Sequence, residues 1–89
     1  MTSYLVEYLI VRPVSGVSAF RVWITKTLPW TSELVVAGDE ELIRVHLRTD
    51  RPDLALRAGL ECGTVENVVV EMGPTLSAVP RRQVAEVGR

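Results

Sequence analysis

One histidine and one cysteine are the only side chains of their kinds in this chain, so nucleophile-and-base chemistry or a soft metal site would have to be built around them. His46 lies in Leu42 to Arg48, where residues alternate strictly. Ile43, Val45 and Leu47 then share one face of a strand, and Arg44, His46 and Arg48 share the other. From that polar face the imidazole could hold a ligand or move a proton. With no second ligand or nucleophile at a defined spacing, the simpler role comes first: a hydrogen bond across strands, to Glu7 or beside Arg44, or a contact at an interface.

The other candidates are thinner. Cys62 falls near the carboxyl end of a helix, where the dipole disfavours a thiolate, so it is expected to pack rather than react. Asp39-Glu40-Glu41 is a single acidic turn with too few fixed oxygens for calcium and reads as a solvated hairpin tip. Tyr8, Trp23 and Trp30 could stack a planar ligand, with Arg12 and Lys26 nearby for phosphate, but core and interface packing account for Trp23 more simply. There is no glycine-rich phosphate loop, no Gly-Lys-Ser/Thr signature and no acidic triad of a kinase site. Arg81-Arg82 is too short to be a nucleic-acid arm.

The elements that must position these residues follow from periodicity. Tyr4 to Val11 is apolar on both sides, with Tyr4, Val6, Tyr8 and Ile10 on one and Leu5, Leu9 and Val11 with Glu7 on the other, the pattern of a central strand. Arg12-Pro13 ends it. Val17, Phe20, Ile24 and Leu28 recur at helical spacing, with Ser15 or Ser18 placed to cap the start and Pro29 to stop the helix. Leu34 to Ala37 is a short strand, and Gly38-Asp39-Glu40 allows a tight reversal into Leu42 to Arg48. Asp50 and Pro52 mark a second helix start, with Leu56 and Leu60 supplying core contacts, Ala55 and Gly59 alongside, and Gly63 as a left-handed stop. Val65 to Met72 is the last strand.

The predicted fold class is α+β: the order β-α-β-β-α-β is the ferredoxin-like split βαβ, a four-stranded antiparallel sheet with two helices on one face. Right-handed crossovers put the first and third strands at its centre. Residues 1–72 are expected to form a single domain, and residues 73–89, with two prolines and two glycines and no sustained period, a flexible tail or linker.

Composition narrows the functions. At 89 residues the chain supports one core, yet 47% of it is apolar and its mean hydropathy is +0.20, so part of the apolar surface is expected to meet a partner. Ten Lys and Arg face eleven Asp and Glu with no basic stripe, which argues against nucleic acid. The single cysteine forbids an internal disulfide, so a cytoplasmic location is the expectation. The apolar run Leu5 to Val11 is broken by Glu7 and falls far short of the roughly 20 residues of a membrane span.

The segments from Tyr4 to Tyr8, from Leu34 to Asp50 with Pro52, and from Val68 to Met72 resemble the central domain of the dihydroxyacetone-kinase-like proteins, the family of the bacterial fatty acid kinase catalytic subunit. The stretch from Val36 to Pro52 is the most specific part. In that family the resemblance implies a domain between a nucleotide-binding kinase domain and a fatty-acid-binding-like domain, associated with dimerisation. It also implies a metal site made of a first-strand cysteine and two histidines on the third strand. Here the first histidine is His46, while the second falls on Arg48 and the cysteine on Leu5. Guanidinium stays protonated and leucine has no donor atom, so no metal is expected.

The functional reading is a non-catalytic dimerisation and interaction domain. Leu5, Glu7, Leu9, Val11, Arg44, His46 and Arg48 would line the open sheet face, pairing two copies as a homodimer or docking a kinase-type partner. The alternative is a small-ligand-sensing module holding an anion between Arg44 and Arg48. An enzyme in its own right comes third, because one histidine and one poorly placed cysteine make too small a set, and no cofactor is expected.

Overall fold

The computed structural model describes residues 3–73; residues 74–89, most of the segment read above as a tail or linker, lie outside the described residues. The order is β1 (Tyr4–Val11), α1 (Val17–Thr27), β2 (Thr31–Gly38), β3 (Leu42–Thr49), α2 (Pro52–Cys62) and β4 (Thr64–Met72). All neighbours pair antiparallel in the spatial order β2-β3-β1-β4, so the fold is the expected ferredoxin-like α+β sheet with β1 and β3 at its centre. Neither helix is long and apolar enough to cross a membrane.

The alternation read from β1 and β3 sets the core. Val6, Tyr8 and Ile10 of β1 and Ile43, Val45 and Leu47 of β3 are buried on the helix side, where Phe20 and Ile24 of α1 and Ala55 and Ala58 of α2 cover them. Register pairs Val6 with Leu47, Tyr8 with Val45 and Ile10 with Ile43, so the two inner strands present one apolar sheet surface to both helices.

Several local expectations are corrected. Leu60 does not reach the core. It is 64% exposed, and α2 instead turns its small residues Ala55, Ala58 and Gly59, with Cys62, onto the sheet. Tyr8 requires this, because its ring lies directly under Gly59 and its hydroxyl donates to the Ala55 carbonyl at 2.7 Å. Burial, and secondarily a charge on Cys62, push the Tyr8 phenol well above its ordinary range. The cap of α1 is Gly16, not Ser15 or Ser18, and Ser15 Oγ lies 3.4 Å from Cys62 Sγ. The cap of α2 is Arg51, not Asp50; the preceding turn is held by Thr49 Oγ1, which accepts from the Arg51 amide at 3.0 Å. Gly63 is extended, at φ 177°, rather than left-handed. Its missing side chain matters because a Cβ there would lie 2.9 Å from Ile10 Cγ2 and from the Val11 carbonyl oxygen.

The β2–β3 reversal works as expected. Asp39 Oδ1 accepts from the Glu41 and Leu42 amides at 2.9 and 3.1 Å, and Gly38 takes φ 138° where a Cβ would overlap the Leu42 carbonyl. β2 starts earlier than its apolar run, at Thr31, and contains a bulge between Ser32 and Val35 in which Glu33 adopts φ 54°. A second bulge, opposite Glu7 to Leu9, puts Asn67 of β4 at φ 56°.

Candidate functional site

Both helices lie on one side of the sheet, so the opposite face is open among the described residues. Strand register arranges that face in rows. One row runs Ala37, Arg44, Leu9, Glu66, the next Val35, His46, Glu7, Val69, and the third Ser32, Arg48, Leu5, Glu71. Every residue singled out on β1 and β3 from the sequence therefore lies on this face, with Val11 beside Leu42 and Thr64 in the outermost row.

Two bulges bring in groups that strand alternation could not reveal. His46 Nδ1 lies 2.8 Å from Glu7 Oε2, and because a carboxylate can only accept, Nδ1 carries the proton. On the other side of the ring, Glu33 is turned inward by the β2 bulge, with Oε1 4.0 Å from His46 Nε2 and Oε2 3.6 Å from Arg48 Nε. Glu7, His46 and Glu33 keep side-chain exposures of 44%, 32% and 42%, so the chain of charges stays in contact with water. A depression of about 340 Å³ opens beside it, lined by Glu7, Leu9, Arg44, His46 and Asn67 among others.

The seven residues do not all reach solvent. Arg44 is exposed, and Glu7, Leu9, Val11 and His46 are half-buried. Leu5 and Arg48 are buried, and Arg48 is turned along the sheet toward the chain ends. Its Nη1 donates to the Gly73 carbonyl at 2.7 Å and to Ser3 Oγ at 3.3 Å, while Nε is left with only the longer approach to Glu33. Arg44 and Arg48 therefore do not form a two-armed anion clamp. Tyr8 is on the other side of the sheet from this face, so it does not join Trp23 and Trp30 in a stacking platform.

Of the residues missed from sequence, Asn67 carried a signal: asparagine tolerates positive φ better than most side chains. Glu33 carried none, since nothing in Thr31-Ser32-Glu33-Leu34 marks a glutamate for a left-handed bulge.

Cys62 is buried at the base of a second groove, of about 290 Å³, between α1 and α2, lined by Val14, Phe20 and Trp23. No basic group lies within hydrogen-bonding distance of its sulfur; Ser15 is its polar neighbour. This is a packing environment.

A family model described as the FakA-like middle domain of fatty acid kinase matches residues 2–73, nearly the whole described region. The chain belongs to this family. None of the curated proteins matches the chain. In a FakA-like middle domain, the sequence resemblance places metal ligands at the positions of Leu5, His46 and Arg48. The first and last of these are direct partners across β1 and β3, one row from His46. The residues present do not fit a metal there. Leucine offers no lone pair, and the Arg48 guanidinium is a buried cation engaged with Gly73 and Glu33. Among the described residues, no group of three or more His, Cys, Asp or Glu side chains is arranged to hold a metal ion.

Proposed function

We propose that this middle domain is a non-catalytic association module whose open sheet face pairs two copies of the chain or docks a kinase-type partner. The observation that carries the reading is the character of that face. Leu9, Val11, Val35, Ala37, Leu42 and Val69 give it apolar surface, charged groups are set among them, and no described element covers it. Val35 is 48% exposed and Leu42 38%, on strands whose opposite faces bury almost everything they carry. Apolar patches rimmed by charge are the usual mark of a protein contact. Self-association through the face, membership of an interface by Leu5, Glu7, Leu9, Val11, Arg44, His46 and Arg48, and a cytoplasmic setting all belong to this proposal.

Light scattering of the full chain at high micromolar concentration tests it. The expected mass is that of a dimer, weakened by Leu9→Glu and Val35→Glu on the face but not by Val22→Glu on the exposed side of α1. A monomer mass, or a dimer indifferent to both face substitutions, would refute it. An anion-sensing module is the weaker reading, because it would rest on Arg44 without the second arginine.

A further inference from the structure

Charge on the open face is divided by strand. Arg44 and His46 lie on β3, whereas Glu66 lies on β4, with β1 between them. Arg44 and Glu66 occupy the same row with Leu9 in the middle. Two strand spacings, about 10 Å, separate them. Both side chains are exposed, and neither has an ion-pair or hydrogen-bond partner among the described residues. Each charge is too far from the other to pair within one chain.

We propose that the occupant of this face is a second copy of the chain, packed face to face about a two-fold axis that runs parallel to the strands close to β1. This rests on the association proposed above and adds its geometry. A rotation about such an axis exchanges left and right across the sheet and leaves position along the strands unchanged. Arg44 of each copy is thereby set over Glu66 of the other, twice per dimer, and Leu9 faces its own counterpart on the axis. A two-fold axis perpendicular to the strands would instead lay β3 on β3, opposing the cationic strands. The charge pattern selects the first arrangement. Glu7 lies near the axis but leans to the β3 side, where His46 holds it at 2.8 Å.

The area suffices. Four strands about 4.8 Å apart and eight residues of about 3.3 Å each give a face of roughly 500 Å² in projection. Two copies would bury about 1,000 Å² before the relief of the side chains is counted, the threshold for a specific interface. Sheets stacked face to face also keep their strand directions within about 30°, as this axis requires.

Charge exchange tests the axis, with analytical ultracentrifugation of the full chain as the readout. Arg44→Glu and Glu66→Arg should each weaken the dimer at least about tenfold, because each homodimer then sets like charges against one another twice. Mixing the two variants should restore association as a heterodimer in which both contacts are again opposite in sign. The doubly substituted chain should also dimerise with itself. Leu9→Glu, which buries a charge whatever the axis, separates the two levels of the argument. If Leu9→Glu abolishes the dimer but the mixture is no tighter than the single variants, the face is the interface and the axis is wrong. If Leu9→Glu leaves the dimer intact, the face itself is wrong. A monomeric full chain whose face amides are protected from hydrogen exchange would mean that residues 74–89 occupy it, and would overturn the proposal.

Discussion

Gly59→Ala sets two physical effects against each other, and the structure decides the sign. Gly59 is buried inside α2, where helix propensity alone predicts that alanine stabilises by about 1 kcal/mol. An added Cβ, however, would lie 2.6 Å from Tyr8 Cε1 and 2.9 Å from Cζ. Carbon atoms prefer separations of about 3.5 to 4.0 Å, so roughly 1 Å of overlap must be relieved. The ring has no room to swing aside, being 2% exposed and anchored by its hydroxyl to the Ala55 carbonyl one turn earlier on the same helix. The helix must then lift from the sheet, and overpacking of this kind costs about 1 to 3 kcal/mol. The net expectation is destabilisation by about 1 kcal/mol, which lowers Tm by about 4 to 8 °C in a chain of this size. Urea and thermal unfolding followed by circular dichroism measure it. In a Tyr8→Leu background the ring is gone and the same substitution should be neutral or stabilising, so the pair should show a coupling energy. A rise in Tm for Gly59→Ala in the otherwise native chain would show that the close approach of α2 to β1 is not what fixes glycine there.

Three further outcomes follow from the same geometry. Val45→Ala, at a fully buried position, should cost about 1 to 3 kcal/mol, while His46→Ala, which removes a partly exposed pair, should cost less than about 1 kcal/mol in urea unfolding; the reverse order would mean the β3 register is off by one residue. Because the Tyr8 phenol is raised in the fold, the folded chain keeps its proton at pH values where the unfolded chain has released it. Its stabilising contribution is full below about pH 10 and falls as pH rises beyond that, so native protein should lose stability on that side while Tyr8→Phe shows a flatter profile; identical slopes would refute the assignment. Arg48→Met replaces a buried cation with an apolar chain of similar length, so global stability should change by less than about 1 kcal/mol. Hydrogen exchange at the Gly73 amide, bonded to the Ser3 carbonyl at 3.3 Å, should nevertheless accelerate, and unchanged protection would remove Arg48 from that role.

The sheet was legible because its two inner strands obey a period of two that water enforces. One register slip would expose Ile43, Val45 and Leu47 together, so the pattern in Leu42 to Arg48 has one stable solution. The helices were less legible because leucine was expected inward, whereas α2 approaches the sheet so closely that only Ala55, Ala58 and Gly59 fit over Tyr8, leaving Leu60 outside. That distance is a tertiary fact with no local signature. The candidate site divides in the same way. Glu7, Arg44 and His46 were placed together by alternation, but Glu33 joins them through a bulge with a left-handed glutamate, a conformation imposed by its surroundings rather than by residue preference. Arg48 shares their face, as alternation required, yet its long side chain runs along the strand to the chain ends, which alternation does not specify.

Ser3 and Gly73 lie side by side at one end of adjacent antiparallel strands, with Arg48 reaching both. Mechanically this makes the described region a side branch rather than a spacer. Tension applied between residues 3 and 73 would not shear the sheet along its strands, where many hydrogen bonds share a load. It would open the β1–β4 ladder like a zipper from that end, one pair at a time, with the Arg48 contacts as the first to give way. The fold should thus resist heat far better than it resists being pulled by its ends.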